Sequence, residues 1–256
     1  MTGLVPFGVL VSTVYALRGA TVVGDLVMAA PLDPTEPVTR SEGTQPVIAV
    51  YVGNEDQKME GREILSGHRR LELSLQIFLP EATQVVINGQ PVALDTRGPG
   101  SEVVFAALIR QIMRALQDTS TDWGRRWGCF ICSVHEIVTQ PFLFEMPGKF
   151  RGFAREVTII CETADEPEYG AEPYPFWLDF IAGLRGLPGY GDPVADLLLA
   201  ELTATNGLPS WGLQAASMGD AVADAPTLGF GPPGPPVTPV LQDVGLDEAW
   251  TIPGTL

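Results

Sequence analysis

Along the first two thirds of the chain, apolar residues fall into a few clear periods. From Arg69 to Leu79 they alternate: Leu71, Leu73, Leu75, Ile77 and Leu79 point one way, Glu72, Ser74 and Gln76 the other. A two-residue period predicts a strand with one face on a core. The run Pro46-Val-Ile-Ala-Val-Tyr-Val52 is continuously apolar and β-branched, and is bounded by Pro46 and Gly53. It predicts a central strand covered on both faces. Val85 to Leu94 carries Asn88-Gly89 at its centre, a strong signal for a small β-hairpin. Between Pro99 and Gln117 the period becomes helical. Val104, Leu108, Ile112 and Leu116 recur every fourth residue, and Val103, Phe105, Ile109 and Met113 widen the stripe. Pro99 and Ser101 suit the first turn. Arg110 and Arg114 fall on one exposed edge, and Arg114 also suits the negative end of the helix dipole. Cys129 to Thr139 and Gly152 to Glu162 predict two further strands, with Pro141 and Pro147-Gly148 between them marking a long hairpin. Val9 to Arg18 predicts a short helix, weakened by its β-branched residues. The order helix, strand, strand, hairpin, helix, strand, strand predicts an α+β fold: a single mixed, mainly antiparallel sheet flanked by helices.

The last third reads differently. Trp177 to Leu187 and Val194 to Thr203 predict two helices, the second with Pro193 at its first turn. Beyond Asn206 periodicity fades, and Gly229 to Pro239 reads as extended or polyproline-like chain. Charge divides at the same place. Of 256 residues, 15 are Lys or Arg and 31 are Asp or Glu, a formal net charge of -16. Residues 1–163 hold 14 basic and 18 acidic residues, whereas residues 164–256 hold only Arg185 against 13 acidic ones. Of the 23 prolines, 13 follow residue 163. These shifts predict an α+β domain over 1–164 and an acidic, Pro/Gly-rich extension over 165–256, with a chain cut after Ala164 still able to fold.

So acidic a chain is a poor non-specific nucleic-acid binder, because Lys and Arg neutralise phosphates. It is equally unsuited to an anionic membrane surface, and no run reaches the roughly 20 apolar residues of a membrane span. No leader segment is expected, and the three cysteines are read as reduced thiols of an intracellular product.

Candidate chemistry is sparse. His68 and His135 are the two histidines, and neither sits in a recognisable nucleophile–base pattern. Cys129, Cys132, His135 and Cys161 have the composition of a zinc site. On a strand, however, residues three apart point to opposite faces, so small reduced thiols are the expectation and no metal or cofactor is predicted. Trp123 and Trp127 flank Arg125 and Arg126; with this net charge they read as an aromatic loop anchored on the preceding helix. The stretch Gly53 to Gly67 is dense in both signs, with Glu55, Asp56, Lys58, Glu60, Arg62 and Glu63. It is either a solvated loop or one that docks a partner.

Three of these stretches together resemble the tail terminator proteins of long-tailed bacteriophages. Pro46-Val-Ile-Ala-Val-Tyr-Val52 is similar to that family's Pro-x-hydrophobic-x-Val-Tyr strand. A charged loop follows, then a strand ending Leu-Gln-Ile-Phe-Leu-Pro80, similar to the family's Val-Phe-Leu-Pro ending. Arg155-Glu-Val-Thr-Ile-Ile-Cys-Glu162 looks like its closing strand. The likeness covers about residues 1–164; the hairpin at Val85–Leu94 and the C-terminal extension depart from it. It implies a structural virion protein of the neck or tail, made in the host cytoplasm and not an enzyme. Such a protein forms a homo-hexameric ring, caps the tail tube protein, stops its polymerisation and offers a surface to the head connector, stopper or another neck protein. Double-stranded DNA would pass through the lumen only as cargo. The loop carrying Glu55, Asp56, Lys58, Glu60, Arg62 and Glu63 is then the candidate docking loop. Residues 165–256 become an arm across neighbours, anchored by Trp177, Phe180, Trp211, Phe230 and Trp250. Two other readings stay open: another neck, tail-completion or head-completion protein, and, from a different class, an α+β enzyme or ligand-binding module.

Overall fold

A computed structural model describes residues 3–29, 45–57, 69–87, 90–96, 98–142, 152–167 and 172–204. It is an α+β structure. The strands are β1 (Val27–Ala29), β2 (Val47–Gln57), β3 (Arg69–Pro80), β4 (Ala82–Ile87), β5 (Gln90–Asp95), β6 (Ile131–Phe142) and β7 (Gly152–Thr163). The helices are α1 (Leu4–Leu17), α2 (Pro99–Gln117), α3 (Asp122–Phe130), α4 (Pro175–Arg185) and α5 (Gly191–Leu202). Five strands form one mixed sheet in the order β1-β2-β3-β7-β6, parallel only at β1–β2. β4 and β5 form a separate hairpin, tied to the end of β3 by Thr83 and Thr96, whose hydroxyls both donate to the Pro80 carbonyl.

The alternation in β3 does what its period requires. Leu71, Leu73, Leu75, Ile77 and Leu79 are all buried on one face, beside Ile48 and Val50 of β2 and Val157, Ile159 and Cys161 of β7. α2 spans the predicted residues and buries Val104, Phe105, Leu108, Ile112, Ala115 and Leu116. Val103, expected in that stripe, lies outside it and is 70% exposed. Gly98 precedes α2 at φ 66°, a backbone that L side chains rarely adopt.

α1 begins at Leu4, earlier than its β-branched composition predicts, and is buried on nearly every side between the sheet and the other helices. Its N-terminus is secured from far along the chain. The Glu166 carboxylate accepts from the backbone N–H groups of Leu4 (3.1 Å) and Val5 (2.9 Å) and lies 2.9 Å from the Arg69 guanidinium. A side chain thus satisfies donors that any helix start leaves open and adds negative charge at the positive end of the dipole.

The compact unit extends from Met1 to Ala204, so the boundary expected at Ala164 falls inside it. The physical reason is aromatic packing. Phe130, at the end of α3, meets Phe176, Trp177 and Phe180 of α4 at ring-centroid distances of 5.4, 5.0 and 5.1 Å. Phe7 of α1 meets Phe180 at 6.2 Å and Tyr190, beside α5, at 5.9 Å. Burial of these rings outweighs the acidic, proline-rich surroundings that set the expected boundary. A chain cut after Ala164 is therefore expected not to fold as a stable body, because it loses Glu166 and most of this cluster. A cut after Ala204 keeps both, and far- and near-ultraviolet circular dichroism of the two truncations checks the difference.

Helix crossing depends on Gly8. A Cβ there would stand 2.5 Å from the Phe130 ring. In an isolated helix Gly→Ala stabilises by about 1 kcal/mol. Here the displaced ring reverses the sign, and Gly8→Ala is expected to destabilise by ~1–3 kcal/mol, read from the urea midpoint.

Candidate functional site

The structure separates the residues singled out from the sequence. Glu55 and Asp56 belong to the end of β2, beyond an irregularity between Val52 and Glu55, and pair in register with Leu71 and Arg70 of β3. They are strand residues, not loop residues as expected, because β3 offers a free ladder that far. Lys58, Glu60, Arg62 and Glu63 lie outside the described residues, as do His68 and the candidate anchors Trp211, Phe230 and Trp250. Trp177 and Phe180 are both fully buried in the chain's own core, so they cannot anchor it to neighbours.

The thiols are also apart in character. Cys129 ends up on helix α3, which replaces the first residues of the expected strand, while Cys132 lies on β6. Cys161 is buried on the inner face of β7, where its thiol donates to the Leu71 carbonyl at 3.5 Å. Burial pushes that thiol up to about 12. Burial, then the charges of Glu162 and Asp165, raises Cys132 more modestly. Among the described residues no group of three or more His, Cys, Asp or Glu is placed to hold a metal ion. Cys129 and Cys132, the exposed thiols, are expected to react with a thiol reagent in the native protein, Cys161 only after denaturation. Rapid reaction of all three would contradict this packing.

Ser133, His135 and Glu162 come together. The Ser133 hydroxyl is 3.3 Å from His135 Nε2 and donates to Glu162 at 3.1 Å, and the same Nε2 is 3.6 Å from that carboxylate. A nucleophile–base–acid relay needs the acid on the ring nitrogen opposite the hydroxyl. Here both partners meet one nitrogen, so the cluster is a surface polar contact.

The Arg125–Arg126 pair, expected in a loop, lies on α3, whose N-cap Thr121 accepts from Gly124 N at 3.2 Å. Arg126 stacks on Trp123 with its guanidinium carbon 4.5 Å from the ring centroid, and donates to Asp179 of α4 at 2.9 Å. Arg125 reaches the same carboxylate at 3.2 Å. The pair clasps α3 to α4 rather than facing a nucleic acid. Hydrogen bonding from Arg126, aided by the charges of both arginines, holds the Asp179 carboxyl below the usual range. A lowered carboxyl stabilises above its ordinary pKa of about 4, and that contribution disappears as pH falls through the lowered value. Asp179→Asn is expected to cost ~0.5–1 kcal/mol at pH 7, because solvent reaches the carboxylate and screens the pair, with the gap between variant and parent melting temperatures narrowing as pH approaches 3.

What stands out as functional surface is the free side of β6. This edge strand has 12 residues, with register irregularities at Ile131/Ser133 and Val134/Glu136. Val134 and Ile137 sit opposite Cys161 and Ile159 on the inner face, yet they are 45% and 47% exposed. Among the described residues the helices cover the sheet from β1 to β7 and leave β6 beyond Ile131 largely uncovered. Val138 on the other face is 37% exposed. The opposite edge, β1, has three residues. No membrane-spanning helix occurs among the described residues.

No known protein family matches the chain, and a search of the curated proteins finds no significant relative.

Proposed function

We propose that this chain is a structural, ring-forming subunit of a phage neck, acting as a tail terminator. Its hexamer would cap the tail tube, stop polymerisation and present a face to the head connector. The three strand motifs raise the resemblance, and the bare edge strand is the observation that supports an assembly role. A long edge with free backbone groups and apolar side chains is a template for association. Covering the exposed parts of Val134, Ile137 and Val138 is worth roughly 1 kcal/mol each. Exposed apolar residues elsewhere, such as Val103 on α2, offer a second, different patch. A contact between unlike patches closes into a ring when its rotation permits, and a closed ring ends a polymer.

The deciding experiment deletes the coding sequence from the virus and images the particles. Free heads beside overlong tails are expected. Tails of normal length joined to heads would overturn the reading. Native mass spectrometry of the purified chain should show six copies, whereas a monomer at high concentration would contradict it.

A further inference from the structure

We infer that β6 pairs antiparallel with β6 of a second copy, about a two-fold axis at Val138, joining the two sheets edge to edge. This goes beyond the tail-terminator reading and does not rest on it. Along a strand, alternate residues turn their backbone N–H and C=O groups to opposite neighbours. The Ile48 N–H donates to the Leu26 carbonyl on the β1 side, so Val47, Ala49 and Tyr51 turn theirs to β3. Carried through the registers of β2–β3, β3–β7 and β6–β7, this alternation makes Glu136, Val138 and Gln140 the residues that bond to β7. The N–H and C=O groups of Ile137 and Thr139 therefore point away from the sheet, with the Pro141 carbonyl beyond them. Proline fits that place, because the N–H it lacks would face outward. At the other end the register breaks at His135, between Val134 and Glu136. The usable edge is thus Glu136-Ile-Val-Thr-Gln140, framed by a bulge and a proline, and all five residues are exposed.

This run is complementary to itself when reversed. About Val138, Ile137 of each copy faces Thr139 of the other, and every outward N–H in the run meets an outward C=O. Val138 meets its own counterpart on the outer face. Glu136 faces Gln140 of the second copy, whose amide gives one N–H to Glu156 at 2.9 Å and has another to give. Pro141 falls opposite His135, so the pairing stops at both ends together. The neighbouring registers fit worse. About Ile137, the Glu136 carboxylate would face Val138, and the next outward pair would need His135 in the bulge. About Thr139, the Ile137 carbonyl would face Pro141, which has no N–H. No other strand of the main sheet offers the match, since β2, β3 and β7 are flanked on both sides and β1 has three residues. A two-fold contact consumes the edge it is made from, so the template closes instead of growing. The pair is a unit within any assembly of even copy number, six included.

Cross-linking and sedimentation velocity of the full chain test this register. In a background of Cys129→Ser and Cys132→Ser, Val138→Cys should form a disulfide between copies under a mild oxidant, because residues directly opposite at a non-hydrogen-bonded site lie within disulfide reach. Glu136→Cys and Gln140→Cys should each cross-link poorly alone and readily when mixed. Thr139→Pro removes only an outward N–H, so it should keep the parent's melting temperature and weaken association by about tenfold or more. Val138→Lys sets two like charges opposite each other at an exposed position and should have the same effect. A parent chain that stays monomeric over the whole concentration series would overturn the pairing. So would a Val138→Cys chain that does not cross-link, Glu136→Cys joining Val138→Cys in preference to Gln140→Cys, or Thr139→Pro and Val138→Lys chains that associate as the parent does. The terminator role is decided separately by the particle images, and tails of normal length would leave an observed pairing intact.

Discussion

Replacing Trp177 by alanine is expected to cost ~3–5 kcal/mol, a large share of the 5–15 kcal/mol that holds a typical domain together. Trp177 is fully buried and packs against Phe130 at 5.0 Å, Phe176 at 5.7 Å and Phe180 at 5.9 Å. Its indole N–H has no hydrogen-bond partner among the described residues, so the loss is one of apolar burial and ring packing. Collapse cannot fill the space cheaply, because the surrounding rings belong to α3 and α4 and each is held by its own helix. Trp177→Phe keeps much of the apolar volume and sacrifices no hydrogen bond, so it should cost well under half as much. Urea denaturation followed by tryptophan fluorescence and circular dichroism checks both. A change below 1 kcal/mol for the alanine variant would mean that α4 is not part of the core.

The second large effect is at Glu166. Its carboxylate and the Arg69 guanidinium are 4% and 5% exposed. Glu166→Ala removes the acceptor for two helix N–H groups and takes a counter-charge from a buried cation, a change of ~3–5 kcal/mol. Glu166→Gln keeps the shape and one acceptor oxygen but loses the charge, and should fall between parent and alanine. Adding Arg69→Met to Glu166→Leu should be less damaging than Glu166→Leu alone, since a buried ion pair is costly mainly when halved. A double variant whose loss equals the sum of the losses of Glu166→Leu and Arg69→Met alone would show that the two residues do not act together. Gly3 makes the same point from another side, because a Cβ there would collide with the Glu166 carboxylate.

Much of the architecture is legible in the sequence because its signals are local. The alternation at Leu71–Leu79, the Asn88-Gly89 pair between two apolar runs and the fourfold period from Val104 to Leu116 each mark their elements. α3 escapes because it has only nine residues, two of them the poor helix formers Gly124 and Gly128, and it runs straight into the β-branched stretch of β6; its stability comes from Trp127 and Phe130 packing on α1 and α4. β1 is too short for a period to register. The misplaced domain boundary has a different cause. Acidity and proline content describe what faces water, whereas Trp177, Phe180, Ile181 and Leu184 decide what docks. The candidate assembly edge was hidden for a similar reason. Val134, Ile137 and Val138 read as ordinary strand residues, and only the strand order places them at the rim.

The Glu166 contact also bears on how the chain comes to be folded during synthesis. Leu4 and Val5 leave the ribosome well before the group that secures them, which lies 162 and 161 residues later. Closing so long a loop is slow. The opening helix must therefore wait, apolar and unanchored, until nearly the whole sheet has emerged, and until then the nascent chain is exposed to aggregation or to the care of a chaperone.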